Sequence, residues 1–301
     1  MCPDHREGAT APDHRLELGT LKGKIKTMPS TSAVETTHRT LENYNHLISP
    51  QRDTGAGYYL SARRYPSGDA EVVALRLSSD DSLIRGGGAK RKNKEKEKMD
   101  LDVLEKSSRR AKTTVRRKCL TMQCDRLLTL TFRENLKDID IAWQRFHYFN
   151  KLMRHKFPRY QYVAVPEYQK RGAVHFHLAI RGYYPVKIVR KLWRRAVGQL
   201  DGNIDITPPK RVKKGQWNPS LIANYLAKYL SKHDSVHFNR RRYSTGGGIQ
   251  VPSAMTGWLA ISLDKDHTVS TLQGVMSGLS GKDIRCCWES ENWLGIIYLS
   301  T

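Results

Sequence analysis

His175 and His177 stand on either side of Phe176 in the run RGAVHFHLAI, residues 171–180. Successive side chains of a strand point to opposite faces. Val174, Phe176, Leu178 and Ile180 then share one face as core, while His175, His177 and Ala179 share the other. The strand rise sets the two histidine Cα atoms about 7 Å apart. Neutral imidazole binds divalent metals, and two on one rigid strand offer two preset coordination positions. Glu167 ends the preceding apolar run, just before the turn segment 168–172. If the two runs pair as a hairpin, Glu167 comes alongside the histidine face as a third ligand. The bland alternative is a surface glutamate beside Lys170 and Arg171. Two imidazoles and a carboxylate leave coordination positions open for a phosphate oxygen, which suits a Lewis-acid role.

A second group lies in NYLAKYLSK, residues 224–232. Tyr225 and Tyr229 are four apart, as are Lys228 and Lys232. On a helix each pair shares a face, and the rise between the tyrosines is about 6 Å. Their phenols then approach nearly the same point. A phenol is a weak nucleophile at neutral pH, since its ordinary pKa is about 10. A nearby cation or a polarised phosphate helps it act, and Lys228 and Lys232 supply cations. The alternative is an amphipathic helix whose tyrosines pack with Leu226 and Leu230.

The elements needed to position these groups are legible. LLTLTF (127–132) alternates, with Leu128, Leu130 and Phe132 on one face and Thr129 and Thr131 on the other, which predicts a half-buried strand. Ile139, Trp143, Phe146 and Met153 follow at near-helical spacing, and this helix stops before Pro158. YQYVAV (160–165) is β-branched and aromatic. After the histidine strand, residues 185–200 carry Val186, Val189, Trp193 and Val197 on one stripe, and NIDIT (203–207) reads as a strand. Asn218 as N-cap and Pro219 at the first helical position open the tyrosine helix. The order β-α-β-β-α-β predicts an α+β fold: an antiparallel sheet with helices on one face, in the ferredoxin-like split β-α-β pattern, with the open face free to hold a site.

Around this core, residues 1–115 are read as a mostly disordered basic extension with one short strand near 71–77, and order is expected from about 119. Residues 116–255 form the central domain. Residues 256–301 are an unassigned extension with candidate strands at WLAIS and LGIIYL. Lysine plus arginine total 52 against 29 acids, a net charge of +23, and such an excess calls for a polyanionic partner, nucleic acid before an anionic membrane. From Arg85 through Lys118 there are 14 Lys/Arg against 5 Asp/Glu, so this segment is read as a solvated linker or a basic arm along phosphates. No apolar run is long enough to span a membrane, and no hydrophobic segment at the N-terminus suggests a secretory signal. Five cysteines, an odd number without zinc-type spacing, are expected to be inert thiols in a reducing cytoplasm.

Taken in order, LLTLTF, then PEYQKRGAVHFHLAI, then NYLAKYLSK resemble the three motifs of the HUH endonucleases, the rolling-circle replication initiators. The double tyrosine resembles the branch typified by the phage replication gene A protein and related plasmid initiators. The resemblance does not extend to residues 1–115 or past about 255. It implies that His175 and His177 bind a metal, Mg2+ or Mn2+ in relatives, with Glu167 as a looser acidic match. It implies that Tyr225 and Tyr229 are catalytic, with Lys228 and Lys232 as accompanying lysines, and that LLTLTF is structural. The implied activity is site-specific nicking of single-stranded or supercoiled origin DNA, leaving a 5′-phosphotyrosyl link and a free 3′-OH. A host DNA polymerase would extend that end. The chain has no G-x-x-x-x-G-K-[ST] run, so a host helicase is an implied partner, in a bacterial cytoplasm. Segments 106–118, 208–214 and 239–243 would hold backbone phosphates. A transposase or relaxase of a mobile element shares the chemistry. A non-catalytic nucleic-acid-binding protein is the alternative from another class.

Overall fold

A computed structural model describes residues 57–77, 101–169, 171–207, 219–230, 242–260, 265–284, 286–289 and 296–301. Among the described residues, two five-stranded antiparallel sheets and five α-helices make it an α+β protein. The chain runs β1 (Gly57–Arg64), β2 (Ala70–Leu77), α1 (Leu101–Met122), β3 (Arg126–Phe132), α2 (Ile139–Lys156), β4 (Tyr162–Tyr168) and β5 (Val174–Ile180). It continues with α3 (Val186–Val197), β6 (Gly202–Thr207), α4 (Pro219–Tyr229), β7 (Ser244–Gly246), β8 (Met255–Ala260), α5 (Lys265–Ser280), β9 (Cys286–Glu289) and β10 (Ile296–Ser300).

The central sheet has the order β6-β3-β5-β4-β7. β5 lies between β3 and β4, the split β-α-β arrangement expected from the order of elements. The alternation in β3 buries Leu128, Leu130 and Phe132. These join Phe176, Leu178 and Ile180 of β5 in a core closed by Phe146 and Phe149 of α2 and Trp193 of α3. α2 starts where the Asp138 side chain accepts hydrogen bonds from the Asp140 and Ile141 amides. It ends with Arg154, His155 and Lys156 against its negative pole. Between β4 and β5, the Gly172 amide donates to Gln169 O at 2.7 Å and the Gln169 amide to Ala173 O at 2.9 Å. Gly172 sits at φ 85°, a left-handed position glycine adopts without a Cβ clash. This tight turn fixes the register that sets Glu167 opposite His175.

The helical layers differ from expectation. The second face of the central sheet is not open: α1 and α4 pack there against Val163, Val165 and Ala179. Every residue of β5 is accordingly buried. α1 begins at Leu101, well before the expected start of order. Its core residues Ala111, Val115, Cys119 and Met122 recur at helical spacing and pack with Ile222, Ala223 and Leu226 of α4. The intervening basic residues hid that stripe in the sequence. Cys119 and Cys124 are free and buried in this layer.

The second sheet, order β8-β1-β2-β10-β9, joins segments from both sides of the central region. β2 covers the strand expected near 71–77, and β8 and β10 cover most of the candidate strands in the C-terminal extension. An isolated hairpin such as β1–β2 is marginal in water, so β8 and β10 complete it from the far end of the sequence. α5 covers one face, where Leu272, Val275 and Met276 pack on Leu60, Val72 and Ala74. Residues 57–77 thus supply two strands of this sheet. Glu71, 1% exposed, ties this sheet to α1: its carboxylate meets Arg116 at 2.8 Å and Arg117 at 2.6 Å.

Candidate active site

Thr129 on β3, Glu167 on β4 and His175 and His177 on β5 lie on the face of the sheet that α4 covers. His177 pairs in register with Thr129 on one side and Val165 on the other, and His175 with Thr131 and Glu167. His177 Nε2 lies 2.8 Å from Glu167 Oε2, and His177 Nδ1 lies 3.3 Å from Thr129 Oγ1. The imidazole is thus held at both nitrogens by neighbouring strands.

His175 is 7% exposed, and its Nε2 is buried with no hydrogen-bond partner. Burial, followed by the neighbouring His177, pushes its pKa down to about 4. The ring is therefore neutral near pH 7, the form that binds metals.

α4 brings the tyrosines onto this pair. The Tyr229 ring stacks on His177, with centroids 4.5 Å apart and planes 8° from parallel. Tyr225 meets the same imidazole edge-on at 5.6 Å. The Tyr229 hydroxyl donates to the Tyr225 hydroxyl at 2.6 Å. Burial, that hydrogen bond and the Glu167 charge all push the Tyr229 phenol up. Tyr229 is 8% exposed, while Tyr225 is half-buried. Tyr229 also shares a buried cluster with Leu226 and Leu230, and Tyr225 packs against it, so the packing expected of an amphipathic helix accompanies these ring contacts.

Of the expected site residues, the structure brings together His175, His177, Glu167, Tyr225 and Tyr229. Lys228 is exposed on the outer side of α4 and makes no hydrogen bond or ion pair among the described residues. Lys232 lies outside the described residues. So do segment 208–214 and, in segment 239–243, all but Arg242 and Tyr243. Within segment 106–118, Arg116 and Arg117 bind Glu71 and Lys118 donates to Ile249 O at 3.0 Å, so these cations hold the fold. Thr129 was missed as a site residue. Its signal was there: it occupies the polar face of LLTLTF, the face that meets the histidines once β3 pairs with β5.

Among the described residues, no three of His, Cys, Asp and Glu are arranged to hold a metal ion as they stand. His177 Nε2 and Glu167 Oε2 are engaged with each other. The donor chemistry nevertheless fits a divalent cation: a neutral imidazole with an orphaned buried nitrogen, beside a second imidazole and a carboxylate. Opening one hydrogen bond would free all three.

Fold and site together define a tyrosine–histidine–carboxylate centre on an antiparallel sheet. Residues 125–234, the segment that carries it, match the family model of the replication-associated protein ORF2. That segment is similar to replication-associated proteins. Neither a curated protein nor a solved structure matches the chain. No helix among the described residues is long and apolar enough to cross a membrane.

Proposed function

We propose that the protein initiates DNA replication by nicking an origin strand through tyrosine transesterification, as a two-tyrosine HUH endonuclease. The observation that carries this is the contact of both tyrosines with the Glu167-bonded His177, Tyr229 stacked on the ring and Tyr225 edge-on to it. The match of residues 125–234 to replication-associated proteins supports the replication role.

In this reading a phenol oxygen attacks the scissile phosphorus. The P–O3′ bond breaks, a 5′-phosphotyrosyl bond forms, and the phenolic proton ends on the departing 3′-oxygen. One phosphodiester is exchanged for another, so the step is reversible. A divalent ion, Mg2+ or Mn2+, held by His175, His177 and Glu167 would supply charge stabilisation at the phosphate oxygens. Thr129 holds the His177 ring in position from its other nitrogen. Tyr229 donates a hydrogen bond that stabilises negative charge on the Tyr225 oxygen. A second phenol within reach allows a second cleavage while the first is still esterified. Lys228 and Lys232 are the candidate cations. Supercoiled or single-stranded origin DNA is the substrate, with a host helicase and DNA polymerase acting on the product in the cytoplasm.

The test is a supercoiled plasmid bearing the cognate origin. The natural chain should relax it and stay covalently attached, and Tyr225→Phe/Tyr229→Phe should do neither. Full attachment by the double variant would overturn the assignment.

A further inference from the structure

A cleft of about 650 Å3 opens between α1 and β7, apart from the tyrosine–histidine centre. Ser107, Arg110 and Thr114 line it from one face of α1, at the i, i+3, i+7 spacing that aligns side chains along a helix. Arg242, Ser244 and Thr245 line it from the opposite wall. Neither Arg110 nor Arg242 forms an ion pair with a carboxylate among the described residues. Among the described residues, no acid lines the cleft. Arg242 is partly buried, and desolvation lowers its pKa, so its charge is held there without a compensating acid. β7 is the outermost strand of its sheet among the described residues, which leaves its outer backbone edge to that side.

Two guanidiniums with hydroxyl groups between them match the oxygens of successive phosphates. The cleft lies between a helix and a sheet edge, a concave site suited to one strand rather than to the broad face of a duplex. It also adjoins the centre by two routes. Ser244 pairs in register with Ala164 on β4, the strand that carries Glu167. Ser108, next to Ser107, donates to Leu230 O at the end of the tyrosine helix. We infer that the α1–β7 cleft binds the phosphate backbone of single-stranded nucleic acid, with Arg110 and Arg242 as the phosphate ligands and the hydroxyls of Ser107, Thr114 and Thr245 as supporting polar groups. This rests on the proposed function only for the identity of the polyanion. The cleft would hold flanking nucleotides of the strand presented to the tyrosines.

The experiment titrates the full chain with fluorescein-labelled oligothymidylate over a series of salt concentrations, in EDTA so that binding is read without cleavage. Arg110→Gln/Arg242→Gln should weaken binding about tenfold and lower the log–log salt slope by about 0.7 for each phosphate that is no longer neutralised. Arg110→Lys/Arg242→Lys should retain most of the slope, since the charges remain. Thr114→Glu, which places an acid on the α1 wall of the cleft, should weaken binding independently. Unchanged affinity and slope in the glutamine and glutamate variants would overturn the inference. So would an equal loss on an uncharged methylphosphonate strand, which would move the contacts to sugar or base. Because no nicking is measured, the cleft stands or falls separately from the tyrosine reaction.

Discussion

The rings of His177 and Tyr229 lie face to face, 4.5 Å apart and 8° from parallel. The contact joins the central strand of a sheet to the helix laid over it. It fixes the position of a phenol relative to the His177–Glu167 pair. Tyr225, one turn earlier, reaches the same imidazole from the side. The two tyrosines are therefore not equivalent. Tyr229 is the more buried and donates a hydrogen bond that the Tyr225 hydroxyl accepts.

That asymmetry predicts an order of action. Tyr225 should attack first, because its phenolate gains a hydrogen bond as charge develops, while burial and Glu167 disfavour charge on Tyr229. Tyr225→Phe should abolish the first cleavage. Tyr229→Phe should keep one cleavage, slowed by loss of the donated hydrogen bond, and fail in the second. Mass spectrometry of the peptide left on a single-turnover substrate reads the result directly, and a Tyr229 adduct would reverse the order.

Thr129 should matter through His177 rather than through DNA. Its hydroxyl holds Nδ1 at 3.3 Å, and outer partners of this kind typically change metal affinity or activity by about 10–100-fold. Thr129→Val keeps the strand shape and removes the hydrogen bond. The expected outcome is a higher Mg2+ concentration for half-maximal nicking, with DNA affinity unchanged. Thr129→Ser should restore the natural metal dependence. Equal Mg2+ dependence in the valine variant would remove Thr129 from the site.

Glu71 should carry the attachment of the second sheet to α1. Its buried carboxylate meets Arg116, Arg117 and, at 3.5 Å, Arg63. Removing one member of such a cluster strands the others partly desolvated, a cost of about 3 kcal/mol. Glu71→Ala should shift the urea midpoint down by a corresponding amount. A Glu71→Ala/Arg117→Ala pair should lose less than the sum of the single changes, the signature of direct coupling. Additive losses would mean that the cluster does not act as a unit.

Much of the central sheet was legible because its signals are local. Alternation in LLTLTF and AVHFHLAI set which residues face the core, and the tyrosine spacing set one helix face. What escaped was non-local. β1 becomes a stable strand by pairing with β2 and with β8, which lies roughly two hundred residues away in sequence, so no window around residue 60 reveals it. α1 escaped for a different reason. Its charge density suggested a solvated arm, yet Ala111, Val115, Cys119 and Met122 form a narrow buried stripe and Glu71 neutralises two of its arginines. Thr129 escaped because a hydroxyl on a strand becomes a site residue only once cross-strand register is known. Helical spacing placed Lys228 on the tyrosine helix without fixing the side it faces, and its side chain is exposed there.

Gly202 gives the last prediction, on the packing that holds β3 in place. β6 begins at this residue, beside the fully buried Trp193, whose indole nitrogen donates to Thr131 O at 2.9 Å. A Cβ at position 202 would come within 2.5 Å of that nitrogen and 2.6 Å of the Thr131 carbonyl oxygen. The carbonyl belongs to backbone paired on both sides, to His175 and to Asn203, so it yields little. Gly202→Ala should therefore destabilise the protein by about 1–3 kcal/mol. The disturbance should pass along β3, because Thr131 lies directly across from His175. The expected pattern is a lower melting temperature together with weaker metal dependence of nicking. Trp193→Phe, made in the Gly202→Ala background, removes the nitrogen the methyl would strike and should recover part of the lost stability. A variant as stable as the natural chain would show that the indole moves aside without cost, and that β6 is not seated by this contact.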